Sequence, residues 1–333
     1  MPNVPMHPRM VYASENAAVI TLSEAAGMLA PPEPDPLNTI ALQADTDPAV
    51  IKTMANEMTN GSNRLNEGSS YLYDAIRIMA TAWKGRRATT WKTQAGRVMD
   101  YYKPSGRLFR RSKPGVWALA DQTARATAAI GTDLDLATIV AANALLAFAD
   151  RVYLSSVAVT NRNATLEDEH NVRLAVAAIQ NSLTEFDQAV TEIAQQRLID
   201  PNLLDLLPFS DEGAGQPNDP TEDNLLRIQF TDFDEGLAKL DMATTQASLA
   251  GEDFTDAGKI TSLNGQSPFG ASPTAIVALQ LNWAMAVASR TSEAEQLMTQ
   301  TQQLKAAAAQ AKEDYLQVEE RTTDSFKMIY PDD

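Results

Sequence analysis

This 333-residue chain contains no cysteine. The side chains that could take part in catalysis or bind a metal are therefore two histidines and several groups of carboxylates. Without cysteine there can be no disulfide, no thiolate nucleophile and no cysteine-ligated zinc or iron–sulfur site. His7 and His170 lie far apart in the sequence, and the common phosphate-loop, dinucleotide, serine-hydrolase and zinc-protease motifs do not occur. The densest carboxylate groups, at 167–169 and 232–235, lack the spacing of a calcium-binding loop. We therefore expect no enzyme activity, no metal site and no cofactor, and we interpret both groups as solvated surfaces or helix starts.

Charge is unevenly distributed along the chain. The sequence holds 27 basic and 43 acidic side chains, a formal charge of −16, which argues against binding nucleic acid or an anionic membrane. Between Lys84 and Lys113, however, ten basic residues occur with a single acidic one. This segment either neutralises acidic helices of the same protein or binds a partner with an acidic face, and contact with nucleic acid or a membrane is a third, minor alternative. The residues predicted for such a basic partner patch are Arg86, Arg87, Lys92, Arg97, Arg107, Arg110 and Arg111.

Proline and glycine divide the chain into four regions. Residues 1–47 hold seven prolines and are predicted to form an extended arm with a short helix at about residues 15–29. Residues 48–200 and 225–333 have the periodicity of helices. The segment between them, 201–224, is rich in proline, glycine and acidic residues and is the predicted linker.

Within the helical regions, we expect a break near residues 131–133 and a polar loop over residues 251–273. The nearest approach to a membrane span is Thr138–Ala149, which at about twelve residues is shorter than the ~20 that a span needs. We interpret this stretch as a buried helix and expect no membrane contact. No N-terminal targeting sequence is evident, so we expect any export to proceed without a cleavable signal peptide.

A helical hairpin is predicted over residues 48–103. Apolar side chains recur every three or four residues both before and after Gly85, which places each set on one face of a helix. Gly85 itself can adopt the left-handed conformation that ends a helix. Gly61 and Gly68 fall on the apolar face of the first helix, where we expect a neighbouring helix to approach closely.

A long helix is predicted over residues 274–328, because neither glycine nor proline occurs between Thr274 and Tyr330. At 1.5 Å per residue such a helix is about 80 Å long, so it must lie along other long helices or along an oligomer partner. The predicted fold class is all-α, an elongated antiparallel bundle of long helices in which the 48–103 hairpin packs on the C-terminal helix.

Two short motifs in these helices resemble those of a known protein family. Trp83-Lys84-Gly85 at the hairpin turn, with Trp91 beyond it, resembles the Trp-x-Gly turn of the WXG-type proteins exported by type VII (ESX) secretion systems. Tyr315-Leu316-Gln317-Val318-Glu319 resembles the Tyr-x-x-x-Asp/Glu export signal of the same family. The fuller signature has apolar residues at the positions of Thr322 and Phe326, and Thr322 departs from it.

The resemblance carries expectations about fold and function. In the family the two motifs lie side by side at one end of a four-helix bundle and form a composite signal, with the halves on two chains in PE/PPE pairs and on one chain in EspB-like proteins. This chain resembles the single-chain form with the halves in reversed order. The resemblance implies that Trp83 and Gly85 shape the turn and that Tyr315 and Glu319 are read by the export machinery. It further implies a protein that is exported folded and acts at the cell surface or beyond it as a structural or interaction protein.

The expected partners and the competing functions follow from the same features. The resemblance implies the secretion machinery or a dedicated chaperone as a partner, and a second copy of the chain or a small WXG protein as another. The alternative is a helical structural protein of a virion or other large assembly, with the long helix as its seam. A third reading, an α-helical pore-former, needs an apolar segment longer than Thr138–Ala149.

Overall fold

The fold is all-α in the computed structural model, which describes residues 7–37, 46–103, 114–196, 199–204, 228–261, 267–270 and 274–329. The described residues form nine helices: α1 (Pro8–Glu15), α2 (Ala17–Met28), α3 (Pro48–Ala82), α4 (Arg86–Tyr102), α5 (Val116–Arg151), α6 (Tyr153–Thr160), α7 (Leu166–Gln196), α8 (Phe230–Lys259) and α9 (Thr274–Ile329). These residues contain no β-strand, and an isolated antiparallel bridge joins Trp83 to Ile228. The predicted fold class, an all-α bundle of long helices with a hairpin and a long C-terminal helix, is confirmed.

The hairpin and the C-terminal helix match their predicted bounds closely. α3 and α4 are separated by three residues, and Gly85 between them has a φ of 113°, which only glycine adopts without strain. The apolar residues of α3 that recur every seven positions, including Met58, Leu65, Leu72 and Met79, are buried. α9 runs unbroken for 56 residues.

The chain divides into two compact units. Unit 1 comprises residues 1–57, 122–201 and 256–286, and unit 2 comprises residues 58–121, 202–255 and 287–333. The buried core of unit 1 is mainly aliphatic. Its members include Val19, Leu22, Ile51, Ile130, Leu134, Val176 and Ile179. The core of unit 2 contains more aromatic side chains. Its members include Trp91, Tyr102, Phe233, Phe254, Leu297 and Leu304.

The segment predicted as a proline-rich arm contributes two helices to unit 1. Pro8 occupies the first turn of α1, where a missing amide hydrogen costs nothing, and the other described prolines follow α2. Asn16 accepts the Ala18 backbone amide and caps α2. The described prolines of this segment therefore lie at the start of a helix or after one. The predicted short helix corresponds to α2, while residues 1–6 and 38–45 lie outside the described residues.

Two segments that the sequence predicts to interrupt helices, residues 131–133 and the start of the 251–273 loop, are helical in the structure. α5 continues through residues 131–133, and a Cβ at Gly131 would lie 3.2 Å from Ile51 Cγ2 and 3.3 Å from the Pro48 carbonyl oxygen. Glycine is needed there for close packing and not for a turn. α8 likewise continues through Gly251 to Lys259, so only the later part of the predicted loop is non-helical among the described residues.

The predicted linker is described only over residues 201–204, which are irregular, because residues 205–224 lie outside the described residues. Leu204 is nevertheless held: its amide donates to Glu293 Oε1 at 2.8 Å, and its carbonyl accepts from the Tyr101 hydroxyl. Glu293 and Arg290 on α9 form an ion pair that is fully buried in unit 2.

The Thr138–Ala149 stretch, predicted as a buried helix too short to span a membrane, lies within the 36 residues of α5. An 18-residue window of α5 reaches a mean hydropathy of 1.4 with at most two charges, and only a third of that window is buried. Among the described residues, α5 is thus one helix that is long and apolar enough to cross a membrane by length and composition. Mostly buried core helices of water-soluble proteins pass the same test, so this one helix is weak evidence for a membrane span.

Candidate functional site

The hairpin turn of unit 2 is built around a buried tryptophan. Trp83 is 4 % exposed, and its amide continues the helix by donating to the Met79 carbonyl at 2.9 Å. Lys84 folds back so that its ammonium group donates to the Ala80 carbonyl at 2.8 Å. Gly85 then starts α4 with a carbonyl that accepts from Thr89. The turn therefore presents a charged residue to solvent and directs its indole inward.

The Trp83 indole belongs to an aromatic cluster. Its ring centroid lies 6.0 Å from that of Trp91 and 5.5 Å from that of Phe233, the latter in an edge-to-face arrangement. Trp91 in turn donates from Nε1 to the Leu304 carbonyl of α9 at 2.9 Å. This buried hydrogen bond attaches the hairpin to the long helix.

The segment just before α8 completes the turn. Ile228 pairs with Trp83 in the isolated bridge, and the Gln229 amide donates to the Ala82 carbonyl at 2.9 Å. The Gln229 carbonyl accepts from Phe233 and so begins α8. This backbone attachment satisfies a carbonyl that the end of α3 would otherwise leave open. The attachment itself is not predicted from the sequence.

The Tyr315–Glu319 pair lies on α9 beside the first turn of α8. The Tyr315 hydroxyl donates to Glu319 Oε1 at 2.9 Å, as the i, i+4 spacing on a helix allows. This hydrogen bond to a carboxylate is the main reason that the pKa of Tyr315 is raised. The Tyr315 ring centroid lies 5.9 Å from that of Phe230.

Two ion pairs hold the same part of α9. Arg87 Nη1 lies 2.6 Å from Asp314 Oδ2, and this guanidinium is the main cause that lowers the pKa of Asp314. Lys312 Nζ lies 2.5 Å from Asp234 Oδ1 and 5.7 Å from the centroid of the Phe230 ring. α4 and α8 are therefore each paired with α9 within one turn of Tyr315.

These contacts bring the two motifs to one place. Trp83 packs on Phe233 and Tyr315 packs on Phe230, and the two phenylalanines are three residues apart on the first turn of α8. The described contacts do not join Trp83 to Tyr315 directly, because α8 lies between them. We call this arrangement of Trp83, Phe230, Phe233 and Tyr315 the turn cluster.

The members of the turn cluster differ in their access to solvent. Trp83 and Phe233 are buried, whereas Phe230 and Tyr315 are partly exposed and Glu319, the hydrogen-bond partner of Tyr315, is exposed. Beside them Leu316 is 44 % exposed and Val318 is 60 % exposed. The α9 side of the cluster is therefore accessible to solvent, whereas the Trp83 indole packs on its buried side.

The predicted basic patch divides into three groups. Arg87 is internally neutralised by Asp314, as one of the alternatives for this segment requires. Arg86, Lys92 and Arg97 on α4 are exposed. Arg107, Arg110 and Arg111 lie outside the described residues.

The described residues hold no group of three or more histidine, cysteine or carboxylate side chains that could bind a metal ion. In the 232–235 group, Asp234 is engaged by Lys312, and in the 167–169 group, Asp168 accepts from the Thr165 amide at the start of α7. His170 is exposed. His7, in unit 1, is hydrogen-bonded through Nε2 to Asp135 and accepts the Arg9 amide at Nδ1, so it caps α1.

Comparison of the chain with family models, with curated proteins and with solved structures finds no significant match.

Proposed function

We propose that this protein is a non-enzymatic substrate of a type VII secretion system. It is exported folded, and it acts outside the cell or at its surface as a structural or interaction protein. Its composite export signal consists of the Trp83–Gly85 turn and the Tyr315–Glu319 pair.

The observation that supports this proposal is the turn cluster. Two motifs separated by more than 220 residues of sequence pack on neighbouring phenylalanines of α8. Chance occurrences of a Trp-x-Gly and of a Tyr-x-x-x-Glu have no physical reason to share a site.

The division of the cluster into a buried and an exposed half gives each motif residue a role. Trp83 and Gly85 fix the turn against α8, and Arg87 fixes Asp314 beside Tyr315. Tyr315 and Glu319 then present a phenol, a carboxylate and the apolar side chains of Leu316 and Val318 to the secretion machinery or to a chaperone. A rigid signal of this kind is read on the folded protein, which is consistent with export in the folded state.

The test compares the culture supernatant and the cell lysate of the native host after substitution of the pair. We expect Tyr315→Ala/Glu319→Ala to abolish export, while Gln317→Ala/Glu320→Ala, a matched change to exposed neighbours, should leave it unchanged. Circular dichroism and thermal unfolding establish that both variants are folded. Undiminished export of the folded Tyr315→Ala/Glu319→Ala variant would refute the proposal.

A further inference from the structure

In unit 1, α5 and α7 form the two walls of an apolar groove of about 380 Å³. The lining extends over residues 133–144 of α5 and 182–193 of α7, which on each helix is about 16 Å, or three turns. Phe186 in the lining is buried, whereas Leu136 and Val140 are 62 % and 60 % exposed. Large apolar side chains therefore meet solvent along a groove that is as long as a short helix.

Alanine recurs along both walls of the groove. α5 contributes Ala137, Ala141 and Ala144 to the lining, and α7 contributes Ala189. Residues three or four positions apart share one face of a helix, and short side chains on that face allow the backbone of a third helix to approach closely. A helix that binds in such a groove inserts apolar side chains at i, i+4 and i+7 spacing. The lining therefore favours a helix as its occupant.

The charged side chains on both walls are acidic. Neither residues 126–150 of α5 nor residues 174–196 of α7 include a lysine or an arginine. The charged residues in these two stretches are Asp133, Asp135, Asp150, Glu185, Asp187 and Glu192. The groove is thus bordered by one sign of charge over the whole length of its lining.

Two of these carboxylates belong to the lining itself. Asp133 lines the groove from α5 and Glu185 lines it from α7, where it is exposed. Glu192, also exposed, directly precedes the last lining residue of α7, whereas Asp135 is engaged by Lys52. A cationic side chain beside the apolar lining would therefore meet opposite charges from both walls, and an anionic one would be repelled.

We propose that the α5–α7 groove binds an amphipathic helix of a partner protein, one whose apolar face is bordered by lysine or arginine. The apolar side chains of that helix cover Leu136, Val140 and Phe186, and its basic side chains pair with Asp133 and Glu185. Burial of the apolar face supplies affinity, and the charge pairs select a basic helix over an acidic one. The inference goes beyond the proposed export function and does not depend on it.

Two other occupants match the groove less well. The carboxylates on both walls repel an anionic bilayer. A second copy of the chain carries the same net charge of −16, which opposes association through an acidic surface. A basic helix is the occupant for which both the apolar lining and its acidic border are favourable.

The test measures binding of a synthetic basic helix to the full chain by fluorescence anisotropy. The probe is a labelled peptide in which the sequence Leu-Lys-Lys-Leu-Leu-Lys-Leu occurs twice, and the control peptide carries glutamate in place of every lysine. We expect the lysine peptide to bind with a dissociation constant at least tenfold lower than that of the glutamate peptide, and to bind more weakly as salt is added. Absence of binding by the lysine peptide, or equal binding of the two peptides, would overturn the proposal.

A first pair of variants tests the acidic border. Glu185→Lys should raise the dissociation constant of the lysine peptide at least tenfold. Glu24→Lys makes the same change at an exposed glutamate of α2 that does not line the groove, and it should leave the dissociation constant unchanged. An equal effect of the two variants would show that the peptide responds to net charge alone and would contradict binding in the groove.

A second pair of variants tests the apolar lining without changing the charge. Leu136→Asn should weaken binding of the lysine peptide at least fivefold. Leu174→Asn is the control, because Leu174 is a similarly exposed leucine, 55 % against 62 %, that does not line the groove. Circular dichroism establishes that all the variants are folded, and equal binding by Leu136→Asn and Leu174→Asn would place the peptide elsewhere on the protein.

The same Leu136→Asn variant distinguishes the other occupants. Co-sedimentation of the wild-type protein with phosphatidylglycerol vesicles, abolished by Leu136→Asn, would assign the groove to a membrane. Concentration-dependent association of the wild-type protein in sedimentation velocity, abolished by Leu136→Asn, would assign it to a second copy. We expect neither effect, and either one would overturn the proposal.

Discussion

Arg87 and Asp314 form an ion pair across 227 positions of sequence, with 2.6 Å between Nη1 and Oδ2. Arg87 lies two residues beyond Gly85, and Asp314 immediately precedes Tyr315. The pair therefore joins the two motif-bearing helices, α4 and α9, beside both motifs. It gives the turn cluster a polar contact in addition to its aromatic ones.

Replacing Arg87 by alanine should clearly reduce export while it only slightly lowers the free energy of unfolding. The pair is partly exposed, so its loss should reduce the free energy of unfolding by no more than about 1 kcal/mol. The same change releases the turn of α9 that positions Tyr315. Arg86→Ala, at the exposed neighbouring arginine, is the control. Equal export of the two variants, measured alongside urea denaturation, would argue against a positioning role for Arg87.

The ion pair should also give stability a defined pH dependence. The Arg87 guanidinium lowers the pKa of Asp314 in the folded protein below its ordinary value of 3.8. The carboxylate therefore contributes stability above that ordinary value and loses the contribution as pH falls through its lower folded pKa. Urea denaturation of the wild type and of Asp314→Asn should give different free energies of unfolding at pH 6, and the difference should shrink as the pH falls below 3.8. A difference that persists unchanged at low pH would contradict this assignment.

Close packing at Gly61 should make this position intolerant of even a methyl group. A Cβ there would lie 2.3 Å from Phe254 Cε1, so the ring or the helices must move, at a cost of about 1–3 kcal/mol. At Gly27, near the end of α2, nothing lies within 4 Å of the added carbon. We expect Gly61→Ala to lower the melting temperature and Gly27→Ala to leave it unchanged or raise it, since alanine favours helix. The reverse order in a thermal scan would show that α3 and α8 do not approach in this way.

The sequence was sufficient to predict the elements that periodicity and punctuation define. Gly85 separated the two hairpin helices, and the absence of glycine and proline defined α9. Gly61 was correctly expected to mark a close approach of helices, since Phe254 lies against it. Each of these inferences depends on local sequence alone.

The predictions that were wrong concern features that depend on contacts between segments distant in the sequence. The sequence predicts a helix break at Gly131, because the spacing of residues does not show that the Pro48 backbone packs against this position. The prolines of the N-terminal region predict an extended arm with one short helix, which corresponds to α2, but α1, which begins at Pro8, is not predicted. The attachment of Ile228 and Gln229 to the hairpin turn was missed, because backbone hydrogen bonds between distant segments leave no signature in side-chain types.

The buried ion pair of Arg290 and Glu293 should be the most sensitive polar site in unit 2. Both side chains are fully buried, Arg290 contacts the Asn202 carbonyl, and Glu293 accepts the Leu204 amide at 2.8 Å. Arg290→Ala leaves the Glu293 carboxylate buried without its partner charge, so we expect a loss of about 3–5 kcal/mol in the free energy of unfolding. The double replacement Arg290→Met/Glu293→Leu removes both charges and should cost less than Arg290→Ala alone. Urea denaturation of the three proteins measures this difference, and a double variant that is less stable than Arg290→Ala would show that the hydrogen bonds to residues 202–204 outweigh the cost of burying a lone charge.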